Sequence, residues 1–290
     1  MPPNVAIDTH AHVFERGLAM AAARRYTPDY DATLAAYLGH LDAHGLTHGV
    51  LVQPSFLGTD NSYLVAALRA RPDRLRGVAV LGPDEGMREA SGGFPDDAQG
   101  ADERADGRVA ALAAAGVVGA RLNLFGRELP DLSSPAWQRR LGQFNLYGWH
   151  VEVHAAAARL QAVLPPLLDA GCRVVVDHFG RPDPALGLSD PGFAFLLRQA
   201  TTGRVWVKLA APYRNWAEES LSCAAARALL EAYSADFLLW GSDWPHTEHP
   251  HVSYAPARRW LDAWIPDPAQ RRIILADTPW RLFDFSGNRA

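Results

Sequence analysis

Short apolar runs recur along the chain, bounded by Gly, Pro, Asn and Asp: Val5 to Thr9, Gly49 to Gln53, Gly77 to Leu81, Val117 to Leu122, His150 to His154, Arg173 to Asp177, Val205 to Leu209 and Phe237 to Trp240. Runs this short and rich in β-branched residues read as strands of a buried sheet. Between most of them lie alanine- and leucine-rich stretches at helical spacing, including Thr33 to His44, Asn61 to Arg71, Asp106 to Ala115, Leu160 to Ala170 and Ser222 to Tyr233. Eight strands alternating with helices predict a parallel α/β sheet with helical crossovers, closed into a single (β/α)8 barrel of the TIM type. An open doubly wound sheet is the alternative. It often carries a glycine-rich phosphate turn after its first strand, and here that place holds Thr9-His10-Ala11-His12.

Two segments break the rhythm. Residues 83–106 are rich in Gly, Asp, Glu and Ala with few large apolar side chains, which predicts a loop excursion between the third strand and its helix. After the eighth strand, His249 to Pro256 and Trp260 to Pro268 carry a loop and a helix, and the apolar spacing of Gln270 to Phe283 suits a terminal helix. No linker separates two cores, so residues 1–290 are expected to form one domain.

Composition narrows the function classes. With 48% hydrophobic residues and a formal charge of −4, the chain can bury a large core but has no general basic field for nucleic acid or anionic lipid. Anion binding must then come from local arginines. No apolar run approaches the ~18 residues of a membrane span, and no basic stretch precedes an apolar leader, so the protein is expected to be soluble and cytoplasmic. Cys172 and Cys223 lack CxxC spacing and are expected to be unpaired, buried thiols.

The chemistry collects at the predicted C-terminal ends of the strands, where barrels of this kind place their reactive groups. A strand sends alternate side chains to one face, so His10 and His12 aim both imidazoles into one pocket. His154, His178 and Asp243 close the fifth, sixth and eighth runs. Strict alternation groups Glu152 with His154, Val174 and Val176 with His178, and Gly241 with Asp243. Trp240, Trp244, Trp280, Phe125 and Phe179 are expected mainly to pack. His246, His249 and His251 read as loop residues, with His246 near enough in sequence to Asp243 to reach the pocket.

Several blocks carry a family resemblance: IDTHAHVF from Ile7, YTPDYDA from Tyr26, VLVQPSFLGTDN from Val50, GARLNLFGR from Gly119, WHVEVH from Trp149, VVVDHFGRPD from Val174, VWVKLAAPYR from Val205 and LLWGSDWPHTEH from Leu238. In this order the chain resembles the amidohydrolase superfamily (amidohydrolase family 2), in the branch of barrel lactonases typified by 2-pyrone-4,6-dicarboxylate lactonase. The resemblance implies a lactonase, a hydrolase acting on a carboxylic ester bond, in which Asp243 takes a proton from the attacking water and His178 steadies the oxyanion. It also implies that Arg121, Arg127 and Arg214 hold acidic groups of the substrate, with Tyr26 and Ser55 at positions that touch it. The expected partner is a small anionic lactone, such as 2-pyrone-4,6-dicarboxylate or a muconolactone-type compound. Monomer and homo-oligomer both remain open.

One position departs from the branch. His154 stands where the pyrone-dicarboxylate enzymes carry a tyrosine, so it either touches substrate or completes a set resembling that of zinc-dependent relatives. That set would be His10, His12, His154 and Asp243 around one divalent ion, with zinc the expected metal and His178 nearby. A metal-independent mechanism stays equally open, because a lactone is reactive and needs only a base and oxyanion support. Arg121 and Asn123 occupy the strand-four stretch where a bridging lysine would be needed, so two metals are not expected. The alternatives are a zinc-dependent non-oxidative decarboxylase of the same superfamily, a hydrolase of a sugar-acid lactone, and a non-catalytic anion-binding barrel.

Overall fold

The computed structural model describes residues 1–2, 4–82, 107–216 and 218–287; the loop excursion expected over 83–106 lies outside them. Eight strands form one sheet in sequence order: β1 (Ile7–Ala11), β2 (His48–Val52), β3 (Leu75–Ala79), β4 (Val117–Asn123), β5 (His150–His154), β6 (Arg173–Val176), β7 (Val205–Leu209) and β8 (Leu238–Trp240). All seven neighbouring pairs are parallel. The connecting helices are α1 (Leu34–Ala43), α2 (Ser62–Ala70), α3 (107–114), α4 (Pro135–Leu146), α5 (Ala157–Asp169), α6 (Pro191–Arg198) and α7 (Glu219–Tyr233). At the seam, Ala11 bridges Trp244 in parallel, the His12 N–H donates to the Trp244 carbonyl at 2.8 Å, and the Asp243 N–H donates to the His10 carbonyl at 2.8 Å. These links nearly close the sheet into the expected barrel.

Helix starts follow local chemistry. Thr33 accepts from the Ala36 N–H at 3.2 Å and Asp190 from the Gly192 N–H at 2.6 Å, while Pro135 and Pro191 occupy first turns where an amide hydrogen has no intrahelical partner. The strand expected over Gly77 to Leu81 runs two residues earlier, over Leu75–Ala79. Gly77 is interior to it because a Cβ there would lie 2.6 Å from Leu68. A close approach to α2, not a strand boundary, explains that glycine.

The chain ends in α8 (Tyr254–Trp264), α9 (Pro268–Arg272), a wide π-type turn over Ile273–Asp277 and α10 (Thr278–Leu282). The single helix expected over Gln270 to Phe283 is therefore interrupted. Pro279 has no amide hydrogen to continue the ladder, and the chain widens just before it. This terminal segment plugs the bottom of the barrel, where Ala276, Leu282 and Phe283 meet Val50, Val52, Val78, Val175 and Leu239. A larger apolar layer lies between sheet and helices, with Val151, Val153, Val174, Val176 and Val207 among its members. Among the described residues no helix is long and apolar enough to cross a membrane.

Candidate active site

Alternation alone does not place the site residues. Ile7 packs into the barrel interior, and a strict period of two would turn His10 the other way. An irregularity between Asp8 and Ala11 shifts the register of β1 against β2 and restores His10 to the inside. β6 gives a second case. Val174 and Val176 face the helices, so the grouping of His178 with them by parity would send its imidazole outward. The sequence expectation fails there for a backbone reason: β6 stops at Val176, and His178 and Phe179 take left-handed φ values of 50° and 58°, which turn the imidazole into the mouth. Asp243 also lies in the left-handed region, at φ 60°. No helix begins directly after it; the next is α8 at Tyr254.

The outcome is a convergence on one oxygen. Asp243 Oδ1 lies 3.6 Å from His10 Nε2, 3.7 Å from His12 Nε2 and 3.8 Å from His178 Nε2. These separations exceed a direct hydrogen bond and leave room for one small shared species. The other oxygen, Oδ2, is occupied by the Tyr213 hydroxyl, donating at 2.6 Å, and by Arg214 Nε, donating at 2.8 Å. Burial pushes the Asp243 carboxyl up, but the Arg214 guanidinium beside it outweighs this and holds the group well below the usual carboxylate range. Burial pushes His178 down to about 3, against the pull of Asp243, and drives His10 and His154 well below the ordinary histidine value. The imidazoles of His10, His154 and His178 are therefore neutral.

A pocket opens above this centre, lined by His12, Tyr26, Ser55, Arg121, His154, His178, Arg214 and Asp243, with Arg25, Asn123, Thr247 and Glu248 among the residues not singled out by sequence. Arg127 does not line it: this side chain is exposed and donates to the Ala23 carbonyl at 3.1 Å. Arg121 reaches the pocket but is also bound below, donating to Asp177 Oδ2 at 3.1 Å. Phe125 stacks on His154, with ring centres 5.4 Å apart, and carries the guanidinium of Arg181 over its ring at 4.3 Å. Phe179 instead packs on Trp216 and Trp264, and Trp244 stacks on Tyr37. His246 is buried, with Nδ1 3.2 Å from the Tyr213 hydroxyl. Cys172 is buried, Cys223 is half-buried, and both are free.

Two supporting groups escaped the sequence reading. Asp8, fully buried, accepts from Ser242 Oγ at 2.6 Å, the Ser242 N–H at 2.9 Å, the Tyr254 hydroxyl at 2.9 Å and the His10 N–H at 3.1 Å. It thus fastens the strand that carries His10 to the one that carries Asp243. Beneath the mouth lies a buried charge layer, in which Lys208 of β7 donates to Glu152 of β5, lies 3.6 Å from Asp177 Oδ1 and contacts His10 Nδ1 at 3.0 Å. Burial and Asp177 push the Glu152 carboxyl up to about 7, against Lys208 and Arg121. Glu152 and Lys208 each had a signal in the sequence, as the single charged residue of a short buried run.

Ligand atoms of His10, His12 and Asp243 lie close enough together to share one metal ion, as do those of His10, Asp177 and His178; among the described residues His154 falls in neither group.

A family model described as amidohydrolase matches residues 7–285. The chain is 31% identical to a 4-sulfomuconolactone hydrolase of Rhizobium radiobacter and 30% identical to a 2-pyrone-4,6-dicarboxylate hydrolase of Comamonas testosteroni, each match covering 97% of this chain and 90% of the relative. Its fold superposes with a TM-score of 0.87 on the crystal structure of a probable 2-pyrone-4,6-dicarboxylic acid hydrolase from Acinetobacter baumannii with citric acid bound, at 37% identity, covering 96% of this chain and 99% of that one.

Proposed function

The chain belongs to the amidohydrolase family, and from that membership together with the geometry we infer that it is a lactone hydrolase acting on a small anionic lactone, of the pyrone-dicarboxylate or muconolactone type. The observation that carries the reading is the carboxylate oxygen of Asp243 facing three imidazoles at 3.6 to 3.8 Å, beneath a pocket lined by arginines.

In this reading a water sits between Asp243 Oδ1 and the imidazoles. Asp243 takes its proton as the water oxygen attacks the lactone carbonyl. His178 polarises that carbonyl and steadies the oxyanion, with its neutral ring set back from the base. Collapse breaks the acyl–oxygen bond, and the ring oxygen leaves with the proton held on Asp243. Oδ1 is the oxygen free to do this, since Tyr213 and Arg214 occupy Oδ2. Arg25, Arg121 and Arg214 supply positive charge for the acidic substituents, and a planar guanidinium pairs with a carboxylate or sulfonate in two-point fashion. Tyr26, Ser55 and His154 line the wall on which the ring lies. Arg127, exposed as it stands, could meet only a substituent that projects past the rim.

The metal question turns on donors. His12 Nδ1 donates to the Val52 carbonyl at 2.8 Å, which leaves its Nε2 lone pair facing Asp243. At His10 the corresponding nitrogen faces the donor nitrogen of Lys208, where a zinc-ligating imidazole ordinarily faces an acceptor. Proximity would allow zinc on His10, His12 and Asp243, without the expected His154, but His10 lacks the acceptor that would aim its lone pair at an ion, and no step is derived through one.

The test is incubation of the purified enzyme with 2-pyrone-4,6-dicarboxylate and with muconolactone-type and sugar-acid lactones, following ring opening by ultraviolet absorbance and gas release in parallel. Ring opening without carbon dioxide is expected. Carbon dioxide without ring opening would replace the hydrolase by a decarboxylase.

A further inference from the structure

We propose that Lys208 is a positioning residue that donates to His10 Nδ1 and thereby fixes His10 as the Nε2–H tautomer, so that the two histidines of the His-Ala-His motif present opposite hydrogen-bonding character to Asp243. The assignment of Asp243 as base rests on the lactonase reading; the tautomer itself does not.

Lys208 is fully buried on β7, with one carboxylate, Glu152, bonded to it and a second, Asp177, 3.6 Å away. Bonded to one acid and facing a second, that nitrogen meets its neighbours as a donor. A contact of 3.0 Å from that nitrogen to His10 Nδ1 therefore makes Nδ1 the acceptor. The competing arrangement would have Nδ1–H donate to a carboxylate. Asp177 Oδ1 at 3.3 Å and Glu152 Oε1 at 3.6 Å are near enough to invite it. Glu152 Oε1 lies beyond hydrogen-bond reach, and Asp177 Oδ1 has no well-aligned donor among the described residues. With Nδ1 accepting, a neutral ring must carry its hydrogen on Nε2, the atom 3.6 Å from Asp243 Oδ1. That Nε2 has no partner among the described residues.

His12 is the mirror case. Its Nδ1 donates to the Val52 carbonyl, so its Nε2 carries a lone pair 3.7 Å from the same oxygen. A water placed among the three then has its valences assigned. It donates one hydrogen to Asp243 Oδ1 and one to His12 Nε2, and accepts one from His10 Nε2–H. One lone pair remains, and it is the one free to attack a carbonyl carbon in the pocket above. Were His10 the other tautomer, the water would face three acceptors with two hydrogens and would have no donor to orient it.

The test is the nitrogen spectrum of histidine-labelled protein at neutral pH, without substrate, with the His10 signal identified by its loss in His10→Asn. Proton on Nε2 and none on Nδ1 is expected in the native enzyme. Proton on Nδ1 overturns the proposal whatever the substrate proves to be. The charge-balanced pair Lys208→Met with Glu152→Gln removes one cation and one anion together and leaves Arg121 bonded to Asp177. It should move the His10 proton to Nδ1 and lower kcat at least about tenfold with KM changed less than about threefold, whereas Lys208→Arg, which keeps a donor, should retain the native tautomer. A tautomer unchanged in the double variant, or one that changes while kcat does not, also overturns it. A native enzyme with the Nε2–H tautomer that opens no lactone would refute the lactonase reading and leave the tautomer standing.

Discussion

Arg214 donates through Nε to Asp243 Oδ2 at 2.8 Å, and the same guanidinium lines the pocket. One cation thus serves both the base and the substrate, and an acidic substituent that draws on Arg214 also relaxes its hold on Asp243. Arg214→Gln should raise KM at least about tenfold. It should also shift the acid limb of kcat/KM to higher pH, because the charge that holds the carboxyl down is gone. An acid limb that stays in place while KM rises would separate the two roles.

Asp243→Asn keeps the shape but removes the proton acceptor. Turnover should fall by about 10²–10⁴, the range of a lost general base, with circular dichroism and melting behaviour retained. Activity near the native level would remove Asp243 from the base role.

Arg121 and Arg25 should part company. Arg121 is buried and bonded to Asp177, so Arg121→Met removes one partner of a buried charge pair and should cost about 3–5 kcal/mol in chemical denaturation. Arg25 makes its ring contact over Phe125 at the pocket wall, and Arg25→Met should raise KM with little loss of stability.

His178 sets an acid limit on the fold. Its folded value is pushed down to about 3 from an ordinary 6.5, so below about pH 6.5 the unfolded chain takes up a proton that the folded one refuses. Its contribution is complete above that pH and is lost as the pH falls towards 3. Native protein should lose melting temperature between about pH 6 and 4 more steeply than His178→Gln, by the uptake of about one proton. Parallel curves would show that the imidazole protonates in the folded state.

Gly241 is the point where β8 passes β1. A Cβ there would lie 2.5 Å from His10 Cβ and 3.0 Å from the His10 backbone nitrogen. Gly241→Ala should therefore push His10 away from Asp243 and lower both kcat and melting temperature. A fully active, unshifted variant would mean that the seam yields without moving the imidazole.

The strand–helix alternation was legible in the sequence because burying a parallel sheet on both faces demands short apolar runs and helical crossovers, whatever the details. The candidate residues His10, His12, His154, His178 and Asp243 were legible too, as polar exceptions at the ends of such runs. What the linear order could not reveal was their aim. Period-two alternation pointed His178 outward and gave no warning of the register shift that carries His10 inward; both depend on local backbone geometry fixed by the closed barrel. Nor could it reveal that Arg127 stays at the surface while Arg25 lines the pocket, or that Lys208 of β7, Glu152 of β5 and Asp177 just after β6 meet beneath His10. A single strand fixes which side chains share its face, through its own periodicity. Which charges neutralise one another in a dry interior is settled only when all eight strands close, because that pairing depends on distances between strands remote in the chain.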